Sequence, residues 1–137
     1  MKILAIVFTI LVGMHSPALH ACSCDWGGPF VKSAARSGLV VYGKVIKYGR
    51  PLSHGEGLYS SMTVEVISVV KGELSNKRIT IQGDRGADCS HYITKQRFEK
   101  NAEYLFALFD SDKKTQRISA CGEYWIRIES GVAKGVD

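Results

Sequence analysis

The stretch ALHACSCDWGG, residues 18–28, holds two of the chain's four cysteines within three positions, directly after an apolar N-terminus. Upstream, Met1-Lys2 is a short positive start, and ILAIVFTILVGM (3–14) is an uncharged apolar run that His15-Ser16-Pro17 breaks. A charged start, an apolar run and a small residue before Cys22 together read as a secretory signal over 1–21. The run is shorter than the roughly 20 residues a membrane span needs. The plainer alternative is an uncleaved N-terminal anchor. Residues 22–137 are then one domain, with no repeat, linker or low-complexity tract.

That domain keeps all four cysteines: Cys22, Cys24, Cys89 and Cys121. An even count in an exported chain points to disulfides. One intervening residue makes a Cys22–Cys24 ring strained, so each is expected to join one of Cys89 and Cys121. Bridges closing loops of about 65–100 residues are worth roughly 4 kcal/mol each in the chain-entropy picture, although nested loops do not add fully. Other uses of the pair fit less well. Zinc knuckles favour two to four residues between cysteines, and redox pairs of the thioredoxin kind have two. Leu19-His20-Ala21-Cys22 is also similar to a bacterial lipobox. Acylation there consumes the Cys22 thiol and leaves a distant cysteine unpaired, which the even count opposes.

The whole chain carries 18 Lys and Arg against 13 Asp and Glu, a net charge of +5. Without Lys2 the balance is 17 against 13, or +4. The cations are scattered, with Lys77-Arg78 and Lys113-Lys114 their only adjacent pairs, so they describe a solvated surface and not a nucleic-acid stripe. No catalytic, metal-binding or phosphate-cradling motif occurs and no cofactor is expected. His54 and His91 are the only histidines after residue 21. Ser90-His91 lacks an orienting acid and reads as two solvent-facing loop residues. Tyr42, Tyr48, Trp26 and Trp125 read as core aromatics before they read as binding aromatics.

Strands dominate the domain. Pro29 opens a short helix with Phe30, Val31, Ala34 and Ala35 on one face and Gly38 at its end. LVVYGKVIKY (39–48) is rich in β-branched and aromatic residues, and GRPLSHGEG (49–57) is a loop. YSSMTVEVISVV (59–70) alternates through Met62, Val64 and Val66 as a half-buried strand does. KRITIQ (77–82) and EYLFALF (103–109) follow, with the loop GDRGADCSH (83–91) between them. RISACGEYWIRI (117–128) is the fifth strand region, bent or bulged at Gly122. Residues 129–137 read as a short helix or a frayed tail. Five uneven strands suggest an all-β, OB-like Greek-key barrel, because closure removes exposed edges.

Cys22-Ser23-Cys24, SGLVVYGKVI (37–46), VEVISVVKGE (64–73), ADC (87–89), EYLFALF (103–109) and ISACGEYWI (118–126) together resemble the N-terminal domain of tissue inhibitors of metalloproteinases, and more widely the netrin-like module. The resemblance runs over the whole of 22–137. The family's third disulfide in this domain, the proline usually found soon after Cys-x-Cys and the separate C-terminal domain are missing. The resemblance implies the pairs Cys22–Cys89 and Cys24–Cys121 and a disulfide-anchored N-terminus. It further implies a secreted or periplasmic, monomeric, non-enzymatic inhibitor of a zinc metalloprotease. In such an inhibitor the α-amine and carbonyl oxygen of Cys22 chelate the target's zinc. Ser23 faces the specificity pocket, and Cys24, Asp25, Ala87 and Asp88 complete the inhibitory ridge. The alternative is a non-inhibitory binding module of the cell envelope, membrane-anchored if Cys22 is lipidated.

Overall fold

The computed structural model describes residues 24–86, 89–110 and 115–135, so the signal-like segment 1–21 lies outside the described residues. Among the described residues one helix, α1 (Phe30–Arg36), precedes nine strands. These are β1 (Leu39–Tyr48), β2 (Leu58–Tyr59), β3 (Ser61–Lys71), β4 (Arg78–Gln82), β5 (Ile93–Thr94), β6 (Glu103–Asp110), β7 (Gln116–Arg117), β8 (Trp125–Glu129) and β9 (Val132–Lys134).

Strands β1, β3, β4, β7 and β6 pair in that order, and β6 returns to β1, closing a five-stranded barrel. All these contacts are antiparallel except β4–β7, where Ile81 faces Gln116 and Gln82 faces Arg117 in parallel. This is the strand order of an OB-type barrel. The long β1 reaches round the barrel because its register against β3 shifts at Val40/Val41, Tyr42/Gly43 and Val45/Lys47, and such irregularities sharpen strand bend and twist.

Alternation along these strands aims Val41, Val45, Met62, Val64, Ile79, Ile81, Phe106 and Leu108 into one buried interior. The turn between β5 and β6 closes one end of it. There the fully buried Phe98 sits against Tyr104, Phe106 and Trp125, with ring centroids 5.8, 6.1 and 5.0 Å away. The buried Tyr104 hydroxyl accepts from the Glu99 amide at 2.9 Å, and Tyr48 donates to the Phe98 carbonyl at 2.5 Å. Arg127 of β8 reaches the same turn with a two-pronged contact to Glu99 at 2.7 and 2.9 Å. That contact holds the Glu99 carboxyl below its ordinary pKa.

Helix α1 covers the outside of the barrel. Phe30 packs with Val40 and Ala107, flanked by Ala34, Leu105, Tyr124 and Ile126. Its first amide, on Phe30, donates to the Glu123 carboxylate at 3.1 Å. At its other end Lys71 donates to the Ala34 and Ala35 carbonyls at 3.2 and 2.7 Å. A negative group at the start and a positive one at the end complement the helix dipole.

Three sequence expectations change. The stretch 59–70 divides, because Leu58-Tyr59 leaves the barrel to pair with Ile93-Thr94, and β3 begins at Ser61. The last strand region is two strands, β7 and β8, separated by an excursion. The segment after residue 129 is neither helix nor frayed tail through residue 134. Ser130 and Gly131, with φ of 52° and 76°, make a tight turn that brings Val132 opposite Glu129. Positive φ at both central residues matches the twist of a hairpin.

Phe98→Ala removes the plug from this end of the barrel. The expected loss is about 3–5 kcal/mol of unfolding free energy in chemical denaturation, since the site is walled by rigid aromatics that cannot collapse into the space.

Candidate functional site

Along β6, two residues separate Phe106 from Phe109, whereas their partners Trp125 and Arg117 are separated by seven. The surplus is the excursion 118–124, which leaves the barrel wall and carries Cys121. Two further segments lie against it. The loop containing Cys89 pairs on one side: Ala120 donates to Cys89 at 2.9 Å, His91 donates to Ile118 at 2.9 Å, and Ser90 and Ser119 form a bridge. On the other side lies Cys24–Gly28. Gly27 donates to the Cys121 carbonyl at 2.6 Å, and Glu123 donates to the Gly28 carbonyl at 3.1 Å.

The Cys24–Cys121 disulfide, with a Cα–Cα distance of 5.8 Å, fixes this segment covalently across 97 residues of chain. Two glycines allow the close approach. A Cβ on Gly27 meets the Cys121 carbonyl oxygen at 2.4 Å, and one on Gly122 (φ 152°) meets the Gly27 Cα at 3.2 Å. Arg36 donates to the Gly27 carbonyl and ties the segment to α1 as well.

Of the expected ridge, the structure therefore joins Cys24 to Cys121 and brings Cys89 beside them, with Asp25 exposed at the surface. Cys89 is also in a disulfide. Cys22, Ser23, Ala87 and Asp88 lie outside the described residues. The loop before Cys89 is set by Asp84, whose carboxylate accepts from the Gly86 amide and whose own amide donates to His91 at 3.1 Å. Among the described residues, no group of three or more His, Cys, Asp and Glu is arranged to hold a metal ion, and no helix is long and apolar enough to cross a membrane.

Sequence reasoning missed a cleft of about 220 Å³ at the side of this ridge, lined by Trp26, His91, Arg97, Gly122, Glu123 and Trp125. Ser90 and His91 are not the solvent-facing pair that their loop position suggests. Ser90 is buried, and the His91 ring stands edge-on to Trp125 at 6.4 Å. Burial, with Arg97 nearby, lowers the His91 pKa to about 4. Trp26 departs from the expected core role in the opposite direction, with 66% of its surface exposed, while Trp125 is buried as expected. The signal for Trp26 was its place between the disulfide-bearing Cys24 and Gly27-Gly28, where the chain lies on the barrel and has no interior to enter.

The His91 shift makes stability fall with acidification. An unfolded histidine takes its proton near pH 6.5 and the folded one only near pH 4, so the folded state is penalised progressively as pH drops across that window. Thermal unfolding from pH 7 to pH 4 should show the natural protein losing roughly 1–2 kcal/mol more than His91→Gln, after allowance for partial exposure of the ring. The Glu99 carboxylate acts in the same direction but in both proteins, so the difference between them isolates His91.

No protein-family model matches this chain, and no curated protein sequence matches it either.

Proposed function

We propose that this protein is an exported inhibitor of zinc metalloendopeptidases that presents the backbone of Cys22 to the target's metal. The observation that carries the reading is the anchoring of Cys24–Gly28. A disulfide and two backbone hydrogen bonds hold that segment on the barrel, two residues from Cys22 in sequence. A wedge restrained in this way loses little entropy when it enters a cleft.

The chemistry is simple. An α-amine has a pKa near 8, so its neutral form is accessible near neutrality. Its nitrogen and the carbonyl oxygen of the same residue form a five-membered chelate on zinc and displace the water that the protease uses as nucleophile. In this reading Ser23 enters the specificity pocket, with Cys24, Asp25, Ala87 and Asp88 around it. Ser23 is small enough to leave that choice broad. Cys22 pairs with Cys89, whose sulfur is already engaged in a disulfide. Disulfides of this kind persist in extracytoplasmic, oxidising compartments, which fits export. The protein acts as a monomer, without a cofactor and without catalysis of its own.

Intact mass of the exported protein and inhibition of a panel of zinc endopeptidases test this together. Cleavage after Ala21, loss of four hydrogens and no added mass are expected. A form with one extra N-terminal alanine should inhibit at least about 100-fold more weakly, because the amine has moved off the metal. Equal inhibition by the extended form contradicts chelation. An added diacylglycerol mass contradicts it too and makes the protein a membrane-tethered, non-inhibitory module.

A further inference from the structure

The cleft beside the anchored segment has a composition that chelation does not use. Its two indoles differ in setting: Trp125 is buried in the barrel wall, while Trp26 stands in solvent on a segment that cannot swing away. An exposed tryptophan on a rigid backbone is the usual form of an interface anchor, because its large area is already ordered before binding. The cleft's volume of about 220 Å³ is below the range of pockets that enclose whole small molecules. It suits a single side chain.

The charges around it are unequal. Glu123 lines the cleft, but its carboxylate accepts from the Phe30 amide at the start of α1. His91 is neutral at physiological pH. Arg97 has only a long contact to the Tyr92 carbonyl, at 3.5 Å, and forms no ion pair among the described residues. Arg36, bound to the Gly27 carbonyl, adds positive charge behind Trp26. Aromatic walls with a guanidinium that makes no ion pair among the described residues, and with the one lining carboxylate engaged at the start of α1, form a site for an apolar group that carries an anion next to it. The balance of 17 basic against 13 acidic side chains over residues 22–137, or +4, adds a field of the same sign.

We infer that this cleft is a docking subsite for an acidic segment of a partner protein, which seats an aromatic side chain between Trp26 and Trp125 and sets the adjacent carboxylate on Arg97. The subsite stands beside the N-terminal wedge and does not depend on the wedge reaching a metal.

The probe is therefore a peptide and not a protease. The disulfide-intact protein is titrated with acetyl-Phe-Glu-amide and, separately, acetyl-Phe-Gln-amide, following the two indole N–H signals and the Arg97 Nε–H signal by NMR. The Glu peptide should shift all three, bind at least about threefold more tightly than the Gln peptide, and weaken as salt is raised. Arg97→Gln should erase the difference between the peptides, and Trp26→Ala should weaken both by about tenfold. Both side chains are solvent-facing, and an unchanged amide spectrum elsewhere verifies the fold of each variant. Absence of shifts at these three groups overturns the inference, as does equal binding of the two peptides or a Glu preference that survives Arg97→Gln. None of these outcomes bears on chelation, which the alanine-extended form tests separately.

Discussion

The clamp between Cys24–Gly28 and the excursion 118–124 is the contact on which the rest of this end of the molecule depends. It consists of one disulfide, the hydrogen bond from Gly27 to Cys121, and the return bond from Glu123 to Gly28. Without it the segment before α1 keeps only the contact from Arg36 to the Gly27 carbonyl, and segments so lightly tied down fray. With it, three strips of backbone lie side by side, because the Cys89 loop pairs with the other edge of the excursion. The same contact places Glu123 at the start of α1 and Trp26 over the cleft. Helix position, ridge and cleft thus follow from how one interrupted strand was opened.

The barrel supplies the stiffness behind the clamp. Phe98, Tyr104, Phe106 and Trp125 pack edge-on and tilted beneath the excursion, so the ridge rests on rings that are themselves fully or nearly fully buried. A disulfide to a mobile loop restrains little, whereas one to a strand excursion whose two ends are held by β7 and β8 transmits the rigidity of the sheet. An inhibitory wedge and a docking subsite of the kind proposed both require this stiffness.

Much of the barrel was legible in the sequence. Leu39–Tyr48, Arg78–Gln82 and Glu103–Asp110 announce themselves by β-branched and aromatic residues, and the closed arrangement follows from having few strands and edges to hide. The parts missed depend on tertiary context. Tyr59 carries the same strand propensity as its neighbours, but the Ser60 amide donates to Arg50 and the Gly83 amide to Ser60, which detaches it from β3. The Ser130-Gly131 turn was present as a dipeptide signal and was masked by the chain end. At the site, the cysteine arithmetic left Cys24 to join Cys89 or Cys121 and the resemblance implied Cys121, the bond that is present, but burial of His91 and exposure of Trp26 run against residue averages. Both arise because a loop and the segment before α1 are laid on the barrel's outside, and no local pattern encodes that.

Hydrogen exchange of the Gly27 amide in the native protein tests the central claim most directly, since that N–H reports the clamp and nothing else. A donor held at 2.6 Å to Cys121 and opened only with the barrel should exchange thousands of times more slowly than an unstructured glycine, and at a rate near those of the β6 amides. Exchange at the unstructured rate, with β6 still protected, contradicts a rigid N-terminal segment.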